Sequence, residues 1–325
     1  MKIKESKYKL VVNHVIKGIK EGELKKGDWI PSINEFRGIY NLSRDTVFSG
    51  INELKSRDII DSSPGIGYYV VNTRIPSKNN IFLLFNEFNE FKEELYNSFI
   101  ENVGKTDTVD LYFHNYNRKV FNSLINDSNG KYTTYIIMSG KFKGIDSLLQ
   151  TINGKVFLLD HFHPELRGKY SSVAQNFEKD TYEALTSELN HILKYKRILM
   201  IQSEEKEPYE RYHGLQRFCK DHGFEHSYLN SVKTKRIKQD DLFMLVNDRD
   251  LVDILKQAEK QNFTPGKEFG IISYNDTPLK EILSGGITTL STDFREMGKT
   301  IASLINKKTI ETIENPWKFN IRKSL

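Results

Sequence analysis

From residue 81 onward, short apolar runs alternate with segments long enough for helices, and this alternation restricts the fold more than any other feature of the chain. The runs are "IFLLF", "VDLYF", "TYIIM", "KVFLLD", "RILMIQ", "LFMLV", "FGIIS" and "ITTLS". Helices are expected over residues 90–103, 177–194, 207–221, 248–261 and 293–306. Strand–helix alternation of this kind builds parallel, doubly wound α/β sheets. The roughly 245 residues from 81 to 325 suffice for two lobes, and they contain no internal repeat and no low-complexity tract.

The first 80 residues follow another pattern. "KYKLVVNHVIKGIKEGEL" places Leu10, Val11, Val15, Ile16 and Ile19 near helical spacing. Gly27 and Pro31 then interrupt it. Ser32, with Glu35 three residues on, forms a capping box for a second helix, "INEFRGIY". A tight turn at Asn41 leads to Ser43, the expected N-cap of a third helix with Val47, Ile51 and Leu54 facing inward. "RDIIDSSPGIGYYVV" adds two strands around a turn containing Pro64, Gly65 and Gly67. Three helices and a two-stranded wing describe a winged helix-turn-helix.

Charge distinguishes this head from the body. Residues 1–80 hold 14 Lys/Arg against 9 Asp/Glu, whereas residues 81–325 hold 34 of each. A basic head on a neutral body points to a polyanionic partner, with a solvated basic surface as the plainer account. In a helix-turn-helix the second helix of the pair enters the major groove by its N-terminus. The hydroxyls of Ser43 and Thr46 suit phosphates there, aided by free amides and the helix dipole. Arg44 reaches a guanine edge or a phosphate. For Ser43 a cap alone is the stronger account, since most serines before an apolar periodic run are only caps.

The stretch from "VVNHVIKGIKEGELKKGDWIPS" through "LSRDTV" and "LKSRDII" to "PGIGYYV" resembles the GntR-type DNA-binding domain. The resemblance implies a double-stranded DNA operator as partner. It also implies contacts from Ser32, Asn34, Ser43, Arg44, Asp45, Thr46 and Phe48, and from Gly65, Gly67 and Tyr68 of the wing. Asn34 and Phe48 stand where that family often has Arg, so base recognition is expected to differ there. Phe48 is left as either a thymine-methyl contact or part of the packing.

Over residues 155–306 the body is similar to the LacI-type effector domain, which shares the periplasmic sugar-binding fold. The matching parts are "KVFLLD", "RILMIQ…ERYHGLQRF", "FTPGKEFGIISYND" and "ITTLSTDFREMG". The resemblance implies a cleft between two lobes, lined by Asp160, Arg211, Asn247 and Asn275, whose donors and acceptors suit a polyhydroxylated ligand. The effector implied is a sugar such as a pentose or deoxyhexose. Phe85, Phe88 and Phe91 are candidates for an apolar face against a sugar ring, with core packing as the alternative for each. A homodimer is expected, since one recognition helix covers only a half-site.

Other classes fare less well. Cys219 is the sole cysteine, which rules out an internal disulfide and suits a reducing compartment. No signal-peptide core and no uncharged apolar run near 18 residues occurs, so a cytoplasmic protein without membrane partner is expected. "MGKT" imitates the end of a P-loop, but Asp293 stands at the required first glycine. His161 and His163 have no cysteine or HExxH partner, and no GxSxG elbow occurs, so no metal, cofactor or catalytic residue is assigned. The expected organisation is a winged helix-turn-helix over 1–72, a linker over 73–80 and a two-lobed effector and dimerisation domain over 81–325. The competing account is a carbohydrate-handling enzyme or carrier with an incidental basic N-terminus.

Overall fold

The computed structural model describes residues 7–73, 79–203, 206–232 and 236–325. The chain divides into two compact units close to residues 79–80. The linker expected over 73–80 falls largely on residues 74–78, outside the described residues.

In the head, α1 (Lys9–Glu21), α2 (Ile33–Tyr40) and α3 (Arg44–Ser56) precede an antiparallel hairpin of β1 (Ile60–Ser63) and β2 (Gly67–Val70). The cap of α2 is the box expected. The Ser32 hydroxyl accepts from the Glu35 amide at 3.3 Å, and the Ser32 amide donates to Glu35 Oε2 at 2.7 Å. Asn41 ends α2 in the left-handed region at φ 50°, which Asn tolerates, and so turns the chain into α3. Val11, Val15, Phe36, Val47, Ile51, Leu54 and Val70 form the core. The stripe of α1 is rotated from its expected phase: Val12 is buried and Leu10 is exposed. The α1–α3 crossing is close, since a Cβ on Gly50 would lie 2.9 Å from the Tyr8 carbonyl oxygen.

The body holds two parallel sheets. Its chain order begins β3 (Asn80–Phe85), α4 (Glu90–Asn102), β4 (Thr108–Phe113), α5 (Arg118–Ser128), β5 (Thr134–Ile137), α6 (Asp146–Leu149), β6 (Lys155–His161) and β7 (Ser171–Gln175). These strands form the first lobe. The second lobe follows with α7 (Phe177–Ser187), α8 (Leu189–Ile192), β8 (Arg197–Ile201), α9 (Glu210–His222), β9 (Glu225–Leu229), β10 (Asp241–Leu245), α10 (Asp248–Gln261), β11 (Gly270–Tyr274), α11 (Pro278–Ile282) and β12 (Thr288–Thr292). The chain then returns to the first lobe as α12 (Phe294–Leu304) and β13 (Thr312–Glu314), and finishes in the second with β14 (Trp317–Asn320). Strand order is β13-β7-β6-β5-β3-β4 in the first lobe and β14-β12-β11-β10-β8-β9 in the second. Only β14 among these strands pairs antiparallel.

Alternation along β3 assigns each side chain to a face. Ile81, Leu83 and Phe85 pack under α4 and α12, whereas Phe82 and Leu84 pack under α5. The second sheet is covered likewise, by α7 and α9 on one face and α10 on the other. The chain crosses between lobes at residues 175–176, 292–293 and 315–316, so three adjacent segments form the hinge.

Two helix pairs sit unusually close through glycine. The Cβ position of Gly298 on α12 abuts the Leu95 carbonyl oxygen of α4, and that of Gly214 on α9 abuts the Glu178 carbonyl oxygen of α7. Backbone cannot withdraw as a side chain can, so Gly214→Ala must separate α9 from α7. Overpacking of this kind costs about 1–3 kcal/mol. Urea unfolding of the Gly214→Ala protein should show that loss, and a midpoint equal to the parent's would mean that the two helices yield freely.

Candidate functional site

Two surfaces carry the polar side chains singled out in the sequence. The first is the start of α3. The Ser43 hydroxyl caps the helix by accepting from the Thr46 amide at 3.2 Å and shares a hydrogen bond of 2.7 Å with the Thr46 hydroxyl. Both hydroxyls are therefore already engaged with each other. Arg44 and Asp45 are exposed, and Arg44 has no hydrogen-bond or ion-pair partner among the described residues. Phe48 is 46% exposed and stands outside the buried core of the head. At the wing, Gly65 and Gly67 have φ of 76° and 151°, a region where a Cβ is strained. Between them Ile66 projects at 72% exposure, a feature not singled out in the sequence. Ser32 and Asn34 lie at the start of α2, and Tyr68 is half-buried on β2.

The second surface is a cavity of about 200 Å³ between the lobes of the body. It opens where strand C-termini meet helix N-termini, the usual place for a ligand in sheets of this type. Asp160, Arg211, Asn247 and Asn275 all line it, although they come from four separate segments. Asp160 sits in β6 with φ 77°, a strained backbone for a non-glycine residue that costs about 1–3 kcal/mol. Its carboxylate is buried. Lys92 of α4, itself 5% exposed, donates to Oδ2 at 2.7 Å, and Gln175 Nε2 donates to Oδ1. Burial pushes the Asp160 pKa up, but the Lys92 charge and these hydrogen bonds outweigh it and hold the carboxyl below its ordinary range.

The Arg211 guanidinium lies between two rings, 4.6 Å from the centroid of Phe177 and 4.8 Å from that of Tyr274. Nη1 donates to Glu207 Oε2 at 2.5 Å, whereas Nε is buried without a partner among the described residues. An unmet buried donor costs about 1–3 kcal/mol. The three-residue spacing from Arg211 to Gly214 follows from the geometry: one residue enters the cavity while the other allows the close α7–α9 approach. Asn247 caps α10, with Oδ1 accepting from the Asp250 amide at 2.9 Å and Nδ2 donating to Asp250 Oδ2 at 2.5 Å. Asn275 has φ 58°, and its carbonyl accepts from Lys280 Nζ at 2.7 Å.

The expectation for two aromatics is corrected. Phe85 is fully buried under α4 and α12 because it shares the face of Ile81 and Leu83. Phe88 is 53% exposed, its ring 5.6 Å from that of Phe113, and lines no part of the cavity. Phe91 does line it, stacked on Phe294 at 5.4 Å. Lys92, Gln175, Tyr116, Phe177, Glu207 and Tyr274 were missed. Lys92 left a signal: it is a lysine in the first turn of a helix, where the dipole favours the flanking Glu90 and Glu93. The others left none, since their neighbourhood is created by the lobes coming together.

The cavity wall is electrically balanced. Among the described residues, Lys92, Lys141, Lys206 and Arg211 face Glu87, Asp160, Glu207 and Asp248. Lys206 of the second lobe lies 3.6 Å from Glu87 Oε2 of the first and 5.3 Å from the Tyr116 ring. Burial and the neighbouring His163 push the His161 pKa down, which keeps that ring neutral. Behind the wall the Ser139 hydroxyl, the His163 ring and Glu165 form a chain, at 2.6 Å and 3.4 Å. Ser139 is 2% exposed and does not line the cleft cavity, so the chain fixes a loop rather than presenting a nucleophile there. No group of three or more potential metal ligands occurs among the described residues.

Comparison with known proteins bears on both parts of the chain. Residues 7–70 match the gntR family of bacterial regulatory proteins, and residues 191–318 match the periplasmic binding protein-like domain. The architecture is that of helix-turn-helix transcription regulators. More particularly, the chain joins a gntR-type head to a periplasmic-binding-protein-like body of the kind seen in LacI regulators. An uncharacterized HTH-type transcriptional regulator of Bacillus subtilis, YcxD, is 32% identical over 73 residues, which is 22% of this chain and 16% of that protein's length. A putative transcription regulator from Staphylococcus saprophyticus superposes with a TM-score of 0.62 at 18% identity, covering 76% of this chain and 98% of that one. A LacI family transcriptional regulator from Enterococcus faecium, solved with bound ribose, gives 0.61 at 16% identity, covering 75% and 98%. At these identities the solved structures establish the fold alone. No helix among the described residues is long and apolar enough to cross a membrane.

Proposed function

We propose that this protein is a cytoplasmic transcription regulator, a repressor, whose homodimer binds a pseudo-palindromic DNA operator and whose affinity for it is set by an uncharged monosaccharide in the cleft. A pentose or deoxyhexose is the proposed sugar class, and the residues over 73–80 are proposed as the linker between reader and sensor. The observation that carries the sensing half is the cavity wall. Lys92, Arg211 and Lys206 are each paired to a carboxylate of the chain itself, while the Arg211 Nε donor is unmet among the described residues. A phosphate or carboxylate on the ligand would have to displace one of those carboxylates, whereas a hydroxyl or ring oxygen can take the free donor without disturbing a charge. Phe91, Phe177 and Phe294 supply the apolar surface that suits a sugar ring. The ribose held by the Enterococcus faecium regulator supports the same class.

The reading half rests on α3. Its start presents Arg44 free of partners among the described residues and Phe48 exposed, beside the capping Ser43 and Thr46, which fits a helix end set against base edges and phosphates. Arg44→Ala is expected to weaken operator binding by about 1–3 kcal/mol and to relax sequence preference at one position of each half-site. An unchanged footprint would remove Arg44 from the recognition surface.

The combined test is a melting screen with D-ribose, L-arabinose, L-fucose and D-ribose 5-phosphate, followed by genomic footprinting with and without the sugar that binds. A neutral sugar should raise the melting temperature, the phosphate should not, and the footprint should be palindromic and salt-dependent. A melting shift with the phosphate alone would overturn the uncharged-ligand reading.

A further inference from the structure

We propose that Gln175 is a positioning residue that ties the Asp160 carboxylate to the hinge, so that lobe arrangement and carboxylate position are one linked equilibrium. Its ligand side rests on the cleft reading above, while its hinge side stands on geometry alone.

Gln175 is the last residue of β7, directly before the first crossover between lobes, and is 8% exposed. Its amide makes two hydrogen bonds: Nε2 donates to Asp160 Oδ1, and Oε1 accepts from the Thr292 hydroxyl at 2.5 Å. The orientation of the amide is dictated by chemistry. An ionised carboxylate only accepts, so the NH₂ must face Asp160 and the carbonyl must face Thr292, whose hydroxyl then donates. Thr292 closes β12 of the second lobe, directly before the second crossover. The three side chains therefore run from the cavity wall of the first lobe, through the hinge, to the second lobe.

The third crossover is fastened differently. Asn315 Nδ2 donates to the Asp293 and Pro316 carbonyl oxygens, at 3.1 and 3.0 Å. Those bonds fix the path of the hinge and touch no cavity residue's side chain. Gln175 differs because one end of its amide is bonded to a group of the cavity wall. Rotation of one lobe on the other moves Thr292 relative to Asp160. Gln175 must then either lose a buried hydrogen bond or draw the carboxylate with it, and buried polar groups resist the first.

The test uses the full chain with single dyes on Val120→Cys of α5 and Val252→Cys of α10, both exposed and on opposite lobes. Cys219 is buried and will not label readily. Single-molecule energy transfer is read without ligand for the parent, Gln175→Met, Thr292→Val and Thr292→Ser. Gln175→Met keeps the length of the side chain and removes both bonds, and Thr292→Ser keeps the hydroxyl. The expected result is a shift toward lower transfer in Gln175→Met and Thr292→Val, no larger in the double variant, with Thr292→Ser like the parent. A merely structural role would lower the melting temperature and leave the transfer distribution in place. That outcome, in Gln175→Met or in Thr292→Val should the former not fold, overturns the proposal. Adding D-ribose to the parent gives the separate arm: no response there counts against the sugar reading and leaves the ligand-free comparison to decide Gln175.

Discussion

Asp160→Leu is expected to lower folding stability by about 3–5 kcal/mol, Lys92→Met by a similar amount, and the double replacement by much less than the sum. The pair is 2.7 Å apart with both side chains nearly removed from solvent. Deleting either partner strands the other charge in a low-dielectric setting, while deleting both leaves an apolar gap. Acid should act in the same direction. The Asp160 pKa is lowered in the folded protein, so its contribution is present above the unfolded value, about 3.9, and is lost as pH falls through the folded one. Parent stability should therefore fall below about pH 4 by more than that of the double variant. Urea unfolding across a double-mutant cycle measures the coupling, and strict additivity of the two single losses would show that the charges are not held as a pair.

The second large effect is functional. Arg211→Ala should reduce affinity for the cognate sugar by on the order of 100-fold, about 3 kcal/mol, because the donor and the two-ring sandwich vanish together. Ligand-free operator binding should stay within about twofold of the parent, since the DNA contacts proposed lie in the other compact unit. By linkage the sugar-dependent change in operator affinity then disappears at concentrations that saturate the parent. Arg211→Lys should not rescue it: an ammonium offers neither the planar face for Phe177 and Tyr274 nor a second fixed donor once Glu207 is engaged. Operator titrations with and without sugar decide the matter. A full response in Arg211→Ala would place the ligand elsewhere than this cleft.

Most of the body's strands were legible because a strand buried in a parallel sheet has little choice of composition. "KVFLLD" and "RILMIQ" lie in β6 and β8. The elements overlooked have the opposite character. "SSVAQ" of β7 is short and mostly polar, yet all five residues are buried, since it lies between β6 and β13 and the Ser171 hydroxyl bonds the segment leading into β13. β13 and β14 are edge strands of three and four residues, whose pairing is supplied by the hinge bringing the chain back to each sheet. α5, "RKVFNSLINDS", carries too many Asn and Ser residues to read as a helix, and is held by burial of Phe121 and Ile125.

Capping chemistry is local, so the sequence by itself determined the head: Ser32 with Glu35, Asn41 and Ser43 mark its helix ends wherever the rest of the chain lies. The resemblance carried by its motifs also put Asp160, Arg211, Asn247 and Asn275 at strand and helix ends, and the order of elements places them there. Only the tertiary structure decided what those residues are bonded to. Asp160 meets Lys92 across 68 positions and Arg211 meets Tyr274 across 63, pairings that no local pattern encodes. It likewise decided that Phe85 is core and Phe91 is cavity wall, since the face a side chain takes depends on where its strand or helix ends, and that is settled by packing rather than by composition.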